Sequence, residues 1–299
     1  MSIAQLRSAN DVPSENLGGA PEIAGAQSPN VGELVIGKLG IALEAFAIAQ
    51  LQRAIAYLAQ PGKARHQGIH EGRKCIRRAR ATLALAASTF KRRDCAARAA
   101  RLDDDLGQLC RGLSSLRDAQ ALLEALARLS AVAPDVSAIL PAATKAARAR
   151  RNQLMHLALR RNPDFLSRRQ RLAAAIKRLQ HLPWQDATAT DITSALARSV
   201  RRVEKAQRQA HRHPELDEIW HVYRRRLRRL RQQDSLLATI APELRPAFDG
   251  LEQHAERLGE SQDDALLLKH CGKRSPFAPN QRKILRATAS ARLRLIRSR

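Results

Sequence analysis

The sequence predicts an all-α protein, and three observations carry that prediction. Ala, Leu, Arg, Gln and Glu dominate from residue 31 onward, and these residues lose little freedom in a helix. Runs of β-branched or aromatic residues long enough for strands are missing, and aromatics make up 3% of the 299 residues. Prolines recur between the helical stretches as breakers.

The elements follow in order. Residues 1–30 contain Asn10, Pro13, Gly18, Gly19, Pro21, Gly25, Ser28 and Pro29 without an apolar run, so they read as a disordered tail. They match neither a signal peptide nor an Arg-rich, acid-poor transit peptide. Residues 31–299 form the folded region, opening with helical segments 33–59 and 64–90 on either side of Pro61-Gly62. Segments 94–112 and 115–131 follow, then Pro134 and segment 137–159. Pro163-Asp164 opens 164–181 and Pro214-Glu215 opens 215–239, each with acid in the first turn; 187–211 lies between them, after Pro183. Segments 243–258, 262–271 and 279–297 complete the chain. No apolar stretch is expected to approach the roughly 18 residues that span a bilayer. Cys75, Cys95, Cys110 and Cys271 lack Cys-x-x-Cys spacing and read as buried free thiols, which points to a cytoplasmic protein.

Charge is the anomaly. Lys and Arg total 53 against 28 Asp and Glu, a formal net charge of +25, and 43 of the 53 are arginine. An excess of that size implies a polyanionic partner. Arginine specifies it further, since its planar fork matches phosphate oxygens bidentately and stays charged at any biological pH. The scarcity of aromatics weighs against base stacking.

An internal repeat locates the charge. Residues 70–80 read H-x-x-R-x-x-x-R-R-x-R, and residues 221–231 repeat that string. At roughly 100° per residue, His70, Arg73, Arg77 and Arg80 share an arc of about 80°, Lys74 widens it, and Cys75, Ile76, Ala79 and Leu83 lie opposite. His221, Arg224, Arg228 and Arg231 form the matching stripe, with Arg225 beside it and Tyr223, Leu227 and Leu230 behind. Like charges three and four apart destabilise an isolated helix, so two such stripes at matched spacing indicate an anion site. A second echo, L-x-x-x-x-D, follows each copy as a presumed turn at 113–118 and 258–263. Asp118 and Asp263 read as helix caps or local salt-bridge partners. A third stripe, Arg201, Arg202 and Lys205, sits on the helix before the second copy and joins the candidate site. The remaining histidines show no paired metal spacing beyond His211-x-His213.

The doubled motif resembles the conserved-histidine α-helical domain, the CHAD family, over roughly residues 33–297. That resemblance implies two similar helical bundles, about 33–182 and 183–299, related by pseudo-twofold symmetry around a basic central cavity. It implies binding of inorganic polyphosphate by His70, Arg73, Arg77, Arg80, His221, Arg224, Arg228 and Arg231, and association with polyphosphate or polyhydroxyalkanoate granules. Some members follow a triphosphate tunnel (CYTH) domain; only tail-like residues precede the helices here, so triphosphatase activity is not expected. A departure is Ser114, where the family's first turn carries Gly, as Gly259 does in the second.

The expected function is therefore non-enzymatic polyphosphate binding, without cofactor or metal. The alternative is a nucleic-acid-binding basic helical protein, which lacks any recognisable base-reading motif here. A phosphotransferase would call for acidic metal ligands beside the phosphate, and Asp103-Asp104-Asp105 begins outside both repeats.

Overall fold

The computed structural model describes residues 38–133, 136–246, 250–273 and 275–297. The tail expected over 1–30 lies outside them. Among the described residues every long element is an α-helix and no strand occurs. The helices are α1 (Leu39–Leu58), α2 (Arg65–Ala86), α3 (Arg93–Gly112), α4 (Ser114–Val132) and α5 (Leu140–Arg161), then α6 (Leu166–Gln180), α7 (Ala189–Arg212), α8 (Asp217–Ile240), α9 (Leu251–His270) and α10 (Pro279–Arg297).

Local chemistry sets the boundaries. Pro61 and Gly62, the latter at φ 57°, turn the chain between α1 and α2. Gly68 lets the two helices close on each other: a Cβ there would lie 2.2 Å from the Tyr57 carbonyl oxygen. Thr188 caps α7 by accepting the Asp191 amide at 3.2 Å. Trp184 anchors the connection before it, donating its indole N–H to the Leu179 carbonyl at 2.8 Å.

Two apolar cores result among the described residues. The larger joins α1, α2, α3, α6, α7 and α8 through residues such as Leu43, Ile76, Leu106, Val203, Tyr223 and Leu237. The smaller joins α4 and α5 to α9 and α10 through Leu126, Leu140, Leu267 and Leu285. Each core thus draws helices from both sides of residue 182. Packing relations also recur: α1 on α2 and α7 on α8, α4 on α5 and α9 on α10, α2 on α4 and α8 on α9. Between the sets, α2 meets α8 and α4 meets α9. All four cysteines are free and buried.

Three expectations need correction. Segments 243–258 and 262–271 are not separate helices, since α9 runs unbroken through Gly259. The second L-x-x-x-x-D echo is therefore helical, whereas the first spans the α3–α4 break at Leu113 and enters α4. Gly259 makes no turn: an added Cβ would meet only the Arg224 guanidinium, at 3.9 Å. Finally, α1 does reach spanning length, with a mean hydropathy of 1.3 over an 18-residue window. Leu43, Ala47, Leu51, Ala54 and Leu58 are buried against α2 and α6, so one face of this helix serves the core.

Candidate functional site

A cavity of about 2380 Å³ is bordered by α1, α2, α3, α4, α8 and α9. His70, Arg73, Lys74, Arg77 and Arg80 of α2 line it together with His221, Arg224, Arg225, Arg228 and Arg231 of α8. The two repeats, about 150 positions apart in sequence, thus meet at one site because α2 packs on α8. Arg201, Arg202 and Lys205 do not join them. They lie exposed on α7, whose buried Val203, Ala206 and Ala210 face the core and turn the basic stripe outward.

The ten cavity residues differ in what holds them. Arg80 is clamped by Asp103 of α3, with Nε and Nη2 donating to the two carboxylate oxygens at 2.8 and 2.7 Å. Gly107 makes room, because a Cβ there would lie 3.2 Å from the Arg80 guanidinium carbon. Burial works against the charge on Arg80, but Asp103 outweighs it and raises the pKa. Arg73 donates to the Cys110 carbonyl, and to Ser114 Oγ at 2.9 Å, at the C-terminal end of α3, where the helix dipole favours a cation. Ser114, the departure from the family's glycine, thus supplies an acceptor. Lys74 pairs with Glu71 at 3.0 Å and Arg231 with Glu252 at 2.7 Å. His221 shares a hydrogen bond with the Gln262 side chain at 3.0 Å.

Arg77, Arg224 and Arg228 form a different group. Among the described residues no hydrogen bond or ion pair engages their guanidinium groups, and the Nε of Arg73 and of Arg77 are buried without acceptors. Burial lowers the pKa of Arg77 to about 10, aided by Arg73, Arg224 and Arg117. Burial, then Arg77, Arg224 and Arg73, holds Arg228 well below its ordinary value. Burial lowers Arg224 too, with Asp263 opposing it. Arginine cannot shed its proton at neutral pH, so three charges are held partly out of water with no paired carboxylate among the described residues. Such a cluster fits phosphate oxygens, each of which accepts from more than one donor.

Other groups shape the field. Burial and then Arg117 depress His70 to about 4, so its imidazole is neutral in the empty cavity at neutral pH. Arg117 of α4 belongs to the site although the repeated stripes did not include it. It pairs with Glu124 at 2.9 Å, keeps one buried nitrogen unpartnered, and adds to the field at His70, Arg73, Arg77 and Arg224. The only signal was its place beside Asp118 in the first echo. Arg78, Arg111 and Lys269 also line the cavity.

Asp263 is neither cap nor local partner. It reaches from α9 to Arg128 of α4 at 2.5 Å, tying together two helices distant in sequence, and burial raises its pKa. Asp118 lines the same cavity and sits in the electrostatic neighbourhood of Arg73. Among the described residues no three His, Cys, Asp or Glu side chains are grouped so as to hold a metal ion.

Comparison with known proteins gives two matches. The family model for the CHAD domain matches residues 45–271. In three dimensions the chain is similar to PptA from Streptomyces chartreusis, with a TM-score of 0.59 and 21% sequence identity, covering 86% of this chain and 96% of that one. No curated protein matches the sequence.

Proposed function

Because the chain belongs to the CHAD family, as the match over residues 45–271 establishes, we propose that it is a non-enzymatic binder of inorganic polyphosphate. The observation that carries this reading is the trio Arg77, Arg224 and Arg228, half-buried in one cavity with no ion pair to their guanidinium groups among the described residues. A linear polyanion supplies the missing negative charge at regular intervals and releases its condensed counterions on binding. Arg73, Lys74, Arg80, Arg225 and Arg231 extend the path along both helices, and His70 and His221 stand at the N-terminal ends of the two stripes. Lys74, Arg80 and Arg231 must share their charge with Glu71, Asp103 and Glu252, so they contribute less than the trio. The recurring helix pairs support a twofold relation between residues 33–182 and 183–299, with α2 and α8 as counterparts.

The absence of catalysis is part of the proposal. The cavity offers cations and imidazoles to phosphate, and among the described residues its carboxylates Asp118, Asp217, Glu218 and Asp263 are not grouped as a metal-holding set. Association with polyphosphate or polyhydroxyalkanoate granules in the cytoplasm follows as an extension of the same reading. A second reading, nucleic-acid binding, is favoured by the outward stripe Arg201, Arg202 and Lys205, which a duplex can reach.

The deciding experiment is a salt titration of long-chain polyphosphate binding with duplex DNA as competitor at equal phosphate concentration. Binding that survives about 0.2 M salt and resists DNA supports the cavity, because open-surface contacts lose affinity steeply over that range. Binding that fades early and yields to DNA overturns it in favour of the α7 stripe.

A further inference from the structure

We propose that the same cavity takes an amphiphilic ligand, a single hydrocarbon chain ending in a diphosphate or longer oligophosphate. The phosphate end of this inference rests on the polyphosphate reading above. The hydrocarbon end rests on separate observations.

The first half of α1 gives the cavity an apolar stretch of wall, beyond which Gln52 and Arg53 line it. Ile41, Ala45, Phe46 and Ala49 of α1 and Val222 of α8 line the space that also holds Arg77, Arg224 and Arg228. Ile41 is 55% exposed. Only 39% of the most apolar 18-residue window of α1 is buried in the protein, although its mean hydropathy is 1.3. The core face of α1 is covered by α2 and α6, so this second face is the part left over. Inorganic polyphosphate has no group that removes such a surface from water. A hydrocarbon chain does, and its burial is favoured in proportion to the apolar area hidden on both partners.

The unpartnered arginines fix what stands at the other end of the chain. Among the described residues the buried Nε atoms of Arg73 and Arg77 lack acceptors and no carboxylate pairs with the trio, so the head group must be anionic and rich in acceptors. A fatty acid carboxylate supplies one charge where the trio presents three; a diphosphate or oligophosphate matches it. The wall lies inside a cavity rather than on a convex face, which selects a single molecule over a bilayer surface. Pockets for ligands of this size are roughly 300–1000 Å³, and the cavity here is larger.

The test compares pyrophosphate, farnesyl diphosphate, farnesol and long-chain polyphosphate, each as monomers in solution. Both tryptophans are buried, but only Trp220 borders the cavity, so a fluorescence change on binding is read at Trp220. The expected result is that farnesyl diphosphate binds at least tenfold more tightly than pyrophosphate and is displaced by polyphosphate. In the double variant Ile41→Asn and Ala45→Asn, that advantage should vanish while polyphosphate affinity stays unchanged. Farnesyl diphosphate binding no tighter than pyrophosphate, with polyphosphate still bound, overturns the inference and leaves the polyphosphate reading intact. So does farnesol binding as tightly as its diphosphate, or a folded double variant that loses polyphosphate equally. If polyphosphate itself does not bind, the phosphate reading falls and this inference falls with it.

Discussion

Arg77 of α2 is the strongest charged neighbour of Arg228 of α8, and both are half-buried, with no carboxylate paired to either among the described residues. Like charges in this position oppose the packing of the helices that carry them. The energy that the α2–α8 contact recovers from Ile76, Leu227 and Leu230 is partly spent on holding those charges together. A bound polyanion reverses the sign of the interaction, so stability and ligand affinity are coupled through this pair.

Arg77→Met with Arg228→Met should therefore stabilise the ligand-free protein while impairing it as a binder. Replacing buried charge by apolar volume is often worth about 1–4 kcal/mol, and about 1 kcal/mol moves the melting temperature by roughly 2–4 °C in a chain of this size. Polyphosphate affinity should fall more than tenfold. Arg201→Ala with Arg202→Ala removes the same charge from the outside of α7 and should change affinity far less. Thermal melts with and without polyphosphate, and binding isotherms for both pairs, check this; equal losses of affinity would refute the cavity.

Arg80 should behave in the opposite way to Arg77. Its two hydrogen bonds to Asp103 tie α2 to α3, and both side chains are more than two-thirds buried. Arg80→Ala leaves that carboxylate with Arg229, 3.9 Å away, as its nearest cation. We expect a loss of about 1.5–3 kcal/mol in stability, the range for hydrogen bonds to charged groups. The accompanying loss in polyphosphate affinity should be smaller than for Arg77→Ala. Urea denaturation compared with binding isotherms separates the two roles.

His70 gives the cavity a pH dependence of defined sign. Its pKa is depressed from 6.5 to about 4 in the folded protein, so between those values the unfolded chain binds the proton and the folded chain does not. The contribution of His70 to stability is thus present above about pH 6.5 and is lost as pH falls toward 4. A polyanion opposes the arginine field and raises this pKa, so binding near pH 5.5 should take up protons and tighten as pH falls. Calorimetry in two buffers of different ionisation enthalpy measures that uptake, and His70→Gln should abolish its largest part.

Asp263 subtracts from the positive field while joining α9 to α4 through Arg128 at 2.5 Å. Asp263→Asn should raise polyphosphate affinity by about three- to tenfold at low salt, with the gain shrinking as salt increases. It should also lower the melting temperature, because Arg128 loses its partner. A variant that binds more weakly would show that Asp263 orients Arg224 rather than opposing the ligand.

The helical nature of the chain, the breaks between most helices and the two basic stripes were legible because each is a local pattern. Residues 70–80 and 221–231 carry their periodicity in eleven consecutive positions, and solvent and core select the two faces of such a helix without reference to the rest of the molecule. Gly259 was misread for a related reason: glycine permits a turn but does not require one, and the packing of α9 on α4, α8 and α10 keeps the helix continuous. The apolar length of α1 was also present in the sequence. Which of its faces is covered was not.

What the sequence determined by itself is an all-α chain of strong positive charge, with two matched helices that display arginine on one side and apolar residues on the other. Only the tertiary structure decided that these helices pack together, that Arg77, Arg224 and Arg228 are left without a hydrogen-bonded or ion-paired partner among the described residues while Arg80 is claimed by Asp103, and that Arg117 joins them while Arg201, Arg202 and Lys205 face outward. The physical reason is that amphipathic period is set within a few turns of one helix. Burial, counter-charge and desolvation are set by residues that come from distant parts of the chain.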